Sequence, residues 1–186
     1  MSLQYFLDQQ SDLQRVMEEK NGSPHPTRLF NTYISDLAIG GSEESAAALI
    51  KMMQWNDKAL IHELVEMEAE TGWKPWAKSR HINLQAARGE FIDMFHFMLN
   101  AGLLLGMDET MIKEMYDAKH AKNEKRQNED YDGVSTKCPG CNRALDDDAV
   151  DCHVREGRLG TYTGPLNWCA VLGRQFIPDA AKGSGR

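Results

Sequence analysis

The sequence predicts an all-α helical bundle followed by a small, zinc-stabilised C-terminal module. Apolar residues recur at helical spacing through most of the first 127 positions, and no convincing alternating run precedes residue 130. All four cysteines lie in the last 49 residues of the 186-residue chain. In a reducing compartment such clustering indicates metal binding more than disulfides. We therefore expect two domains, residues 1–133 and residues 134–186, the second with a disordered tail.

The predicted helices are separated by Gly, Pro, Asn and Ser, which favour turns. They cover residues 1–20, 27–38, 42–55, 58–70, 84–105 and 108–127. Thr27 is the expected N-cap of the second helix, and Asn56-Asp57 is expected to separate the third from the fourth. Gly106 is expected to close the fifth.

Charge and hydropathy exclude several classes of protein. The formal net charge of -7 argues against polymeric nucleic acid or an anionic membrane as the main partner. No stretch approaches the roughly 20 apolar residues of a membrane span. The N-terminal residues lack the pattern of a signal peptide. We therefore expect a cytoplasmic protein with no membrane partner.

Two pairs of carboxylates are the first candidate for chemistry. Glu63 and Glu66 are three residues apart on one predicted helix, and Glu90 and Asp93 are three apart on another. Three residues advance a helix by about 300°, so each pair lies on one face. Two such helices packed together would aim four carboxylates into one space, where a hard cation such as Mg²⁺ would relieve their repulsion. The alternative is that the first pair belongs to a solvated helix face.

The second pair lies within an unusually apolar helix, EFIDMFHFMLN. A carboxylate such as Asp93 is costly to bury there without a partner. Glu90, Asp93, Phe97 and Asn100 fall on one stripe of this helix. A metal-binding end with an aromatic ring and an amide beyond it suits a nucleotide, with phosphates at one end and the base at the other.

The end of the last predicted helix is basic and polar. Lys119, Asn123 and Arg126 repeat at helical spacing, and Gln127 and Tyr131 follow. Cations at a helix C-terminus can simply complement the helix dipole. Beside a carboxylate–metal site, the same side chains would bind phosphate.

A loop over residues 72–81 carries Trp73, Lys74 and Trp76. It is expected either to form another wall of the site or to be anchored by two buried indoles.

The motifs together resemble a known family. An ExxE motif is followed, after 23 residues, by an ExxD motif. This arrangement resembles the all-α nucleoside triphosphate pyrophosphatase superfamily, which includes MazG-like proteins and dimeric dUTPases. The segments HELVEMEAETGWKPW, EFIDMFHFMLN and YDAKHAKNEKRQNEDY are similar to three motifs of the dimeric dUTPases. The resemblance covers roughly residues 3–133 and is strongest to bacteriophage versions, some of which add a cysteine-rich tail.

The resemblance implies Mg²⁺-dependent hydrolysis of dUTP to dUMP and pyrophosphate by a homodimer. It implies that Glu63, Glu66, Glu90 and Asp93 bind Mg²⁺, with Glu63 and Glu66 catalytic and Glu63 orienting the attacking water. The side chains implied to bind substrate are Gln10, Lys74, Trp76, Phe97, Asn100, Lys119, Asn123, Arg126, Gln127 and Tyr131. Gln14 stands where the family has an asparagine that helps to read uracil, so the base stays open between uracil, cytosine, guanine and a modified base.

The C-terminal cysteines predict structural Zn²⁺. Cys138-Pro-Gly-Cys141 places two thiolates on a tight turn, as tetrahedral zinc requires. The expected set is completed by Cys152 and Cys169, with His153 as a substitute ligand. Unmetallated thiols or a redox pair are the alternative.

The sequence also leaves open a function that is not enzymatic, the binding of a partner protein. The tail of about 50 residues is not needed for hydrolysis as such, which leaves room for a regulator that binds a partner protein through its helical core or tail.

Overall fold

The computed structural model describes residues 2–76 and 78–128, together with the backbone of residues 168–169 and 174–175. The chain divides into two compact units, Met1–Lys119 and His120–Arg186. Up to residue 128, the regular elements described are helices, which confirms the predicted all-α class. The predicted domain boundary and zinc module lie outside the described residues and stay predictions.

The described elements are α1 (Leu3–Asn21), α2 (Pro26–Ala38), α3 (Glu43–Ala69), α4 (Leu84–Leu104), α5 (Glu109–Asn128), β1 (Trp168–Cys169) and β2 (Arg174–Gln175). The two short strands pair antiparallel. No helix in the described part of the chain is both long enough and apolar enough to cross a membrane.

Local chemistry explains where α1 ends and α2 begins. The backbone turns at Gly22, whose φ of 67° is left-handed, a conformation that costs glycine little. The prediction that Thr27 caps α2 is wrong: His25 is the N-cap and Pro26 is the first helical residue. Proline suits this position because its fixed φ is helical and a first-turn N–H has no helical partner in any case.

The predicted break at Asn56-Asp57 is also wrong, because α3 runs without interruption from Glu43 to Ala69. Asn56 is fully buried, and its Nδ2 donates a hydrogen bond to the carbonyl oxygen of Phe97 on α4 at 3.0 Å. Asparagine often caps helices, but in this protein Asn56 contributes to the packing of α3 against α4. The tertiary contact overrides the local signal.

The core of the first unit lies between α3 and α4. These two helices share the most extensive interface, α2 packs on both, and α1 packs mainly on α4. Leu49 and Met52 of α3 and Leu104 of α4 are buried together. Because of this packing, the helix that carries Glu63 and Glu66 lies directly beside the helix that carries Glu90 and Asp93.

The C-terminal end of α4 depends on Gly106, as predicted. Its φ is +65°, and its N–H donates to the carbonyl of Leu103 at 3.2 Å. A Cβ at this position would overlap the ring of Phe30 on α2. Glycine therefore serves both the turn and the close approach of α2.

Candidate functional site

The four predicted carboxylates meet where α3 and α4 run side by side. Ligand oxygens of Glu63, Glu90 and Asp93 lie within 4.8 Å of one another. Glu63 also forms a group of the same size with Glu66 and His62. The Nδ1 atom of His62 lies 2.8 Å from Oε1 of Glu66. Asp93 is exposed, so the burial cost expected from its apolar helix does not arise.

Electrostatics at this cluster act most strongly on Glu90. Partial desolvation raises the pKa of Glu90 above its ordinary value of 4.5, and the charges of Glu66, Glu63 and Asp93 raise it further. A hydrogen bond with Glu63 acts in the same direction. The negative charge around Glu90 therefore favours a proton or a cation at this carboxylate.

This donor set fits a hard divalent cation. Carboxylate oxygens are the protein ligands that Mg²⁺ prefers, and it keeps the remaining positions for water and substrate phosphates. The repulsion that raises the pKa of Glu90 is the repulsion that a bound cation would relieve. Glu63 belongs to both described ligand groups and is therefore among the residues that would hold such a cation.

A cavity of about 790 Å³ opens beside the carboxylates. Glu63 and Asp93 line it together with three residues predicted to contact substrate, Gln10, Phe97 and Asn100. Its lining has far more apolar than polar surface, as is usual in ligand sites. The structure thus brings predicted metal ligands and predicted base-contacting residues into one cavity.

The polar side of the cavity is a chain of hydrogen bonds between α1 and α4. Nε2 of Gln10 donates to Oδ1 of Asn100 at 2.8 Å, and Oε1 of Gln10 lies 2.6 Å from Nδ1 of His96. Gln10 and Asn100 are each only 2% exposed. Their orientation is therefore fixed by partners rather than by solvent.

The lining residues absent from the predicted site include Gln14, Lys51, Trp55 and His96. Two of them follow a signal in the sequence, because Lys51 lies about one helical turn before Trp55, and Trp55 lies about two turns before Glu63. The indole of Trp55 packs edge-on against Phe97, with ring centroids 6.1 Å apart. That spacing is readable from the sequence only once residues 43–69 are known to form one helix.

The loop between α3 and α4 presents its tryptophans to solvent. Trp73 is 53% exposed and Trp76 is 75% exposed, so the alternative of two buried indoles is wrong. The loop is closed by Gly72, whose N–H donates to the carbonyl of His81 at 2.7 Å. Arg80 organises it further by donating to the carbonyl of Lys74 at 2.7 Å. Lys74 and Trp76 are not among the described lining residues of the cavity.

The predicted phosphate-binding residues lie on or beyond α5. Lys119 is an exposed residue at the end of the first unit, while Asn123, Arg126 and Gln127 belong to the second unit. Tyr131 lies outside the described residues. Their contact with phosphate stays a prediction.

The predicted zinc ligands Cys138, Cys141, Cys152 and His153 also lie outside the described residues. Of Cys169, the structure describes only the backbone, which pairs with Arg174.

Comparison with known proteins supports the family that the motifs predict. Residues 2–111 match the family described as dUTPase. A dCTP pyrophosphatase of Enterobacteria phage LZ5 is 35% identical over 79 residues, which cover 36% of this chain and 45% of the phage protein. A dCTP pyrophosphatase of Enterobacteria phage T4 is 35% identical over 79 residues, covering 36% of this chain and 46% of that protein. The matches thus span about half the length of these relatives. No solved structure matches the chain.

Proposed function

The chain belongs to the dUTPase family, as its motifs predict, and we propose that it hydrolyses a pyrimidine deoxynucleoside triphosphate to the monophosphate and pyrophosphate. The observation that carries the proposal is a single cavity lined both by Glu63 and Asp93 and by the Gln10–Asn100 amide pair. One end of such a cavity suits metal-bound phosphates, and the other suits a base.

The carboxylates supply the reactive end. Glu63, Glu66, Glu90 and Asp93 would hold Mg²⁺, which when bound neutralises phosphate charge and favours activation of water. Glu63 lines the cavity, which supports the proposal that it orients the attacking water. The family resemblance further implies that Lys119 and Arg126 bind phosphate, Arg126 through its planar fork of donors.

The base is proposed to be uracil or cytosine. The sequence resemblance favours dUTP, whereas the two phage relatives are named as dCTP pyrophosphatases. Gln10, Gln14 and Asn100 are buried polar side chains on the cavity wall. A wall that hydrogen-bonds the base rejects a substrate that leaves those groups unpaired, so these amides are the expected source of base selectivity.

Pyrophosphate release from a panel of dUTP, dCTP, dTTP, dATP and dGTP tests the proposal. We expect turnover of one or both of the first two, complete loss with a chelator, and near-complete loss in Glu66→Gln. Glu68→Gln is the matched control, because Glu68 is an exposed glutamate of the same helix that lies in neither described ligand group. No turnover of any triphosphate, or a fully active Glu66→Gln, would refute it.

We also propose that the chain acts as a homodimer. Large apolar side chains are exposed on α3 and α4, among them Ile61 at 59%, Val65 at 57% and Phe91 at 57%. Exposed large apolar side chains on two packed helices support an interaction site at this surface. Light scattering after size exclusion should give twice the chain mass of 21.0 kDa. Val65→Glu should shift it toward the monomer while Glu68→Lys does not, and a monomeric wild-type chain would contradict the proposal.

Structural Zn²⁺ at Cys138, Cys141, Cys152 and Cys169 is proposed on their spacing alone. Metal analysis of the purified chain should find zinc, and Cys138→Ser should lose it. Retention of stoichiometric zinc by that variant would count against this ligand set.

A further inference from the structure

The cavity wall at Phe97 is held by two consecutive residues of α3. The indole of Trp55 packs edge-on against the Phe97 ring, and Nδ2 of Asn56 donates to the Phe97 carbonyl at 3.0 Å. Successive residues of a helix point about 100° apart, so one side chain reaches the ring while the other reaches the backbone. The neighbouring helix therefore contacts Phe97 at both its side chain and its main chain.

Asn56 is an unfavourable residue for packing alone. Its side chain is fully buried, and because a carbonyl only accepts, Nδ2 must face Phe97. This orientation leaves Oδ1 of Asn56 buried without a hydrogen-bond partner among the described residues. An unpaired buried acceptor costs more free energy than one ordinary hydrogen bond contributes.

A leucine at position 56 would avoid this cost, because it has the same branch at Cγ and no polar atom. The carbonyl of Phe97 would stay paired without Asn56, since it lies inside α4 and accepts from the helical ladder as well. The contribution of the Asn56 amide is therefore directional: it fixes where α4 lies against α3 at Phe97.

Phe97 is the point where this contact meets the cavity. On α4 it lies four residues after Asp93 and three residues before Asn100, and all three line the cavity. Asn56 is not among the described lining residues, so it supports the wall from behind. The geometry of a binding site depends on such supporting residues, which hold the contacting side chains in place.

Resting on the proposed function, we propose that Asn56 is a positioning residue that holds Phe97 against the base of the nucleotide. Asn56 precedes Glu63 by seven residues, which is about 10 Å along α3. Its contact therefore supports the base end of the cavity and not the carboxylate end. Binding of the nucleoside part should depend on Asn56, whereas binding of pyrophosphate alone should not.

Calorimetry on Asn56→Leu tests this difference. The probes are α,β-imido-dUTP, α,β-imido-dCTP and pyrophosphate, each with Mg²⁺. We expect both analogues to bind at least about tenfold more weakly than to the wild type, because small displacements within a site are costly. Pyrophosphate should bind as it does to the wild type, and the Tm should not fall. Unchanged analogue affinities, or an equal loss for pyrophosphate, would overturn the proposal. Asn56→Ala removes the same donor without added bulk and takes the place of Asn56→Leu if that variant does not fold.

Ser45→Ala is the matched control on the same helix. Ser45 is only 7% exposed, its Oγ donates to the carbonyl of Ser42 at 3.2 Å, and it is not among the described lining residues. Loss of this hydrogen bond should lower the Tm and leave all three affinities unchanged. If Ser45→Ala weakened the analogues as strongly as Asn56→Leu, affinity would simply follow stability and the proposal would be wrong.

A double-mutant cycle shows whether Asn56 acts through Phe97. In a Phe97→Leu background the ring is absent, so adding Asn56→Leu should weaken the analogues by no more than about twofold further. Additive losses would show that Asn56 acts by another route and would overturn the proposal.

These outcomes are distinct from those of the proposed reaction. Selective loss of analogue binding in Asn56→Leu, with a wild type that releases no pyrophosphate, would retain the positioning role and refute the reaction. Turnover by the wild type with unchanged analogue binding in Asn56→Leu would refute the positioning role alone.

Discussion

Replacing Gly106 by alanine should destabilise the helical unit through two separable effects. The residue has φ +65°, and a Cβ there would overlap the ring of Phe30. A left-handed conformation costs a residue with a Cβ about 1–2 kcal/mol. Forcing a packed ring to move costs about 1–3 kcal/mol more. Gly106→Ala should therefore lower the free energy of unfolding by about 2–5 kcal/mol.

Gly40 provides a matched control within the same chain. Its φ is +77°, but nothing lies within 4 Å of a Cβ built on it. Gly40→Ala should therefore show the backbone cost alone, about 1–2 kcal/mol. Urea denaturation followed by circular dichroism gives both values, and their difference isolates the overlap with Phe30.

A double-mutant cycle completes this test. In a Phe30→Ala background the overlap is absent, so Gly106→Ala should cost about as much as Gly40→Ala. Equal costs of the two glycine substitutions in the wild-type background would refute the steric part of the reasoning. An additive cycle between Phe30 and Gly106 would refute it as well.

Three other predictions follow from the site and its supports. Because the pKa of Glu90 is raised in the folded chain, its favourable contribution is present below pH 4.5 and is lost as the pH rises through the raised value. In chelator, the Tm of Glu90→Gln should therefore exceed that of the wild type by a margin that grows with pH, and a constant margin would contradict this. Leu104→Ala, at a fully buried position, should cost about 2–5 kcal/mol in urea denaturation, and a loss under 1 kcal/mol would show that the core collapses around it. Arg80→Ala should free the loop and accelerate tryptic cleavage after Lys78 by about tenfold, with little change in Tm, whereas Arg80→Lys should restore only part of the protection.

Much of this fold is local in origin, which is why the sequence predicts it. Helical periodicity and the glycines at positions 22, 40 and 106 identify the helices to within a few residues. The wrong helix boundaries predicted at Thr27 and at Asn56 have one cause. Thr27 and Asn56 are residue types that favour helix ends, but Pro26 takes the first position of α2, and the packing of α3 on α4 uses the Asn56 amide inside a helix.

The candidate site, too, can be predicted only in part from the sequence. The spacing of Glu63 with Glu66, and of Glu90 with Asp93, fixes which carboxylates share a helix face, because helix geometry depends on separation along the chain. That spacing does not show that His96 lies 2.6 Å from Gln10, since 86 positions separate them. The sequence shows a histidine on an apolar helix, and only the packing of α1 on α4 gives it a partner.

The sequence by itself determined the helical class, the two carboxylate pairs and the family, because each depends on residues close together in the chain. The tertiary structure decided which side chains share a cavity, how the buried amides pair and which apolar faces stay exposed. These depend on contacts between helices, and a hydrogen bond across such a contact has a direction that no local pattern encodes. The hydrogen bonds that connect Gln10 with His96 and Asn100 belong to this second group.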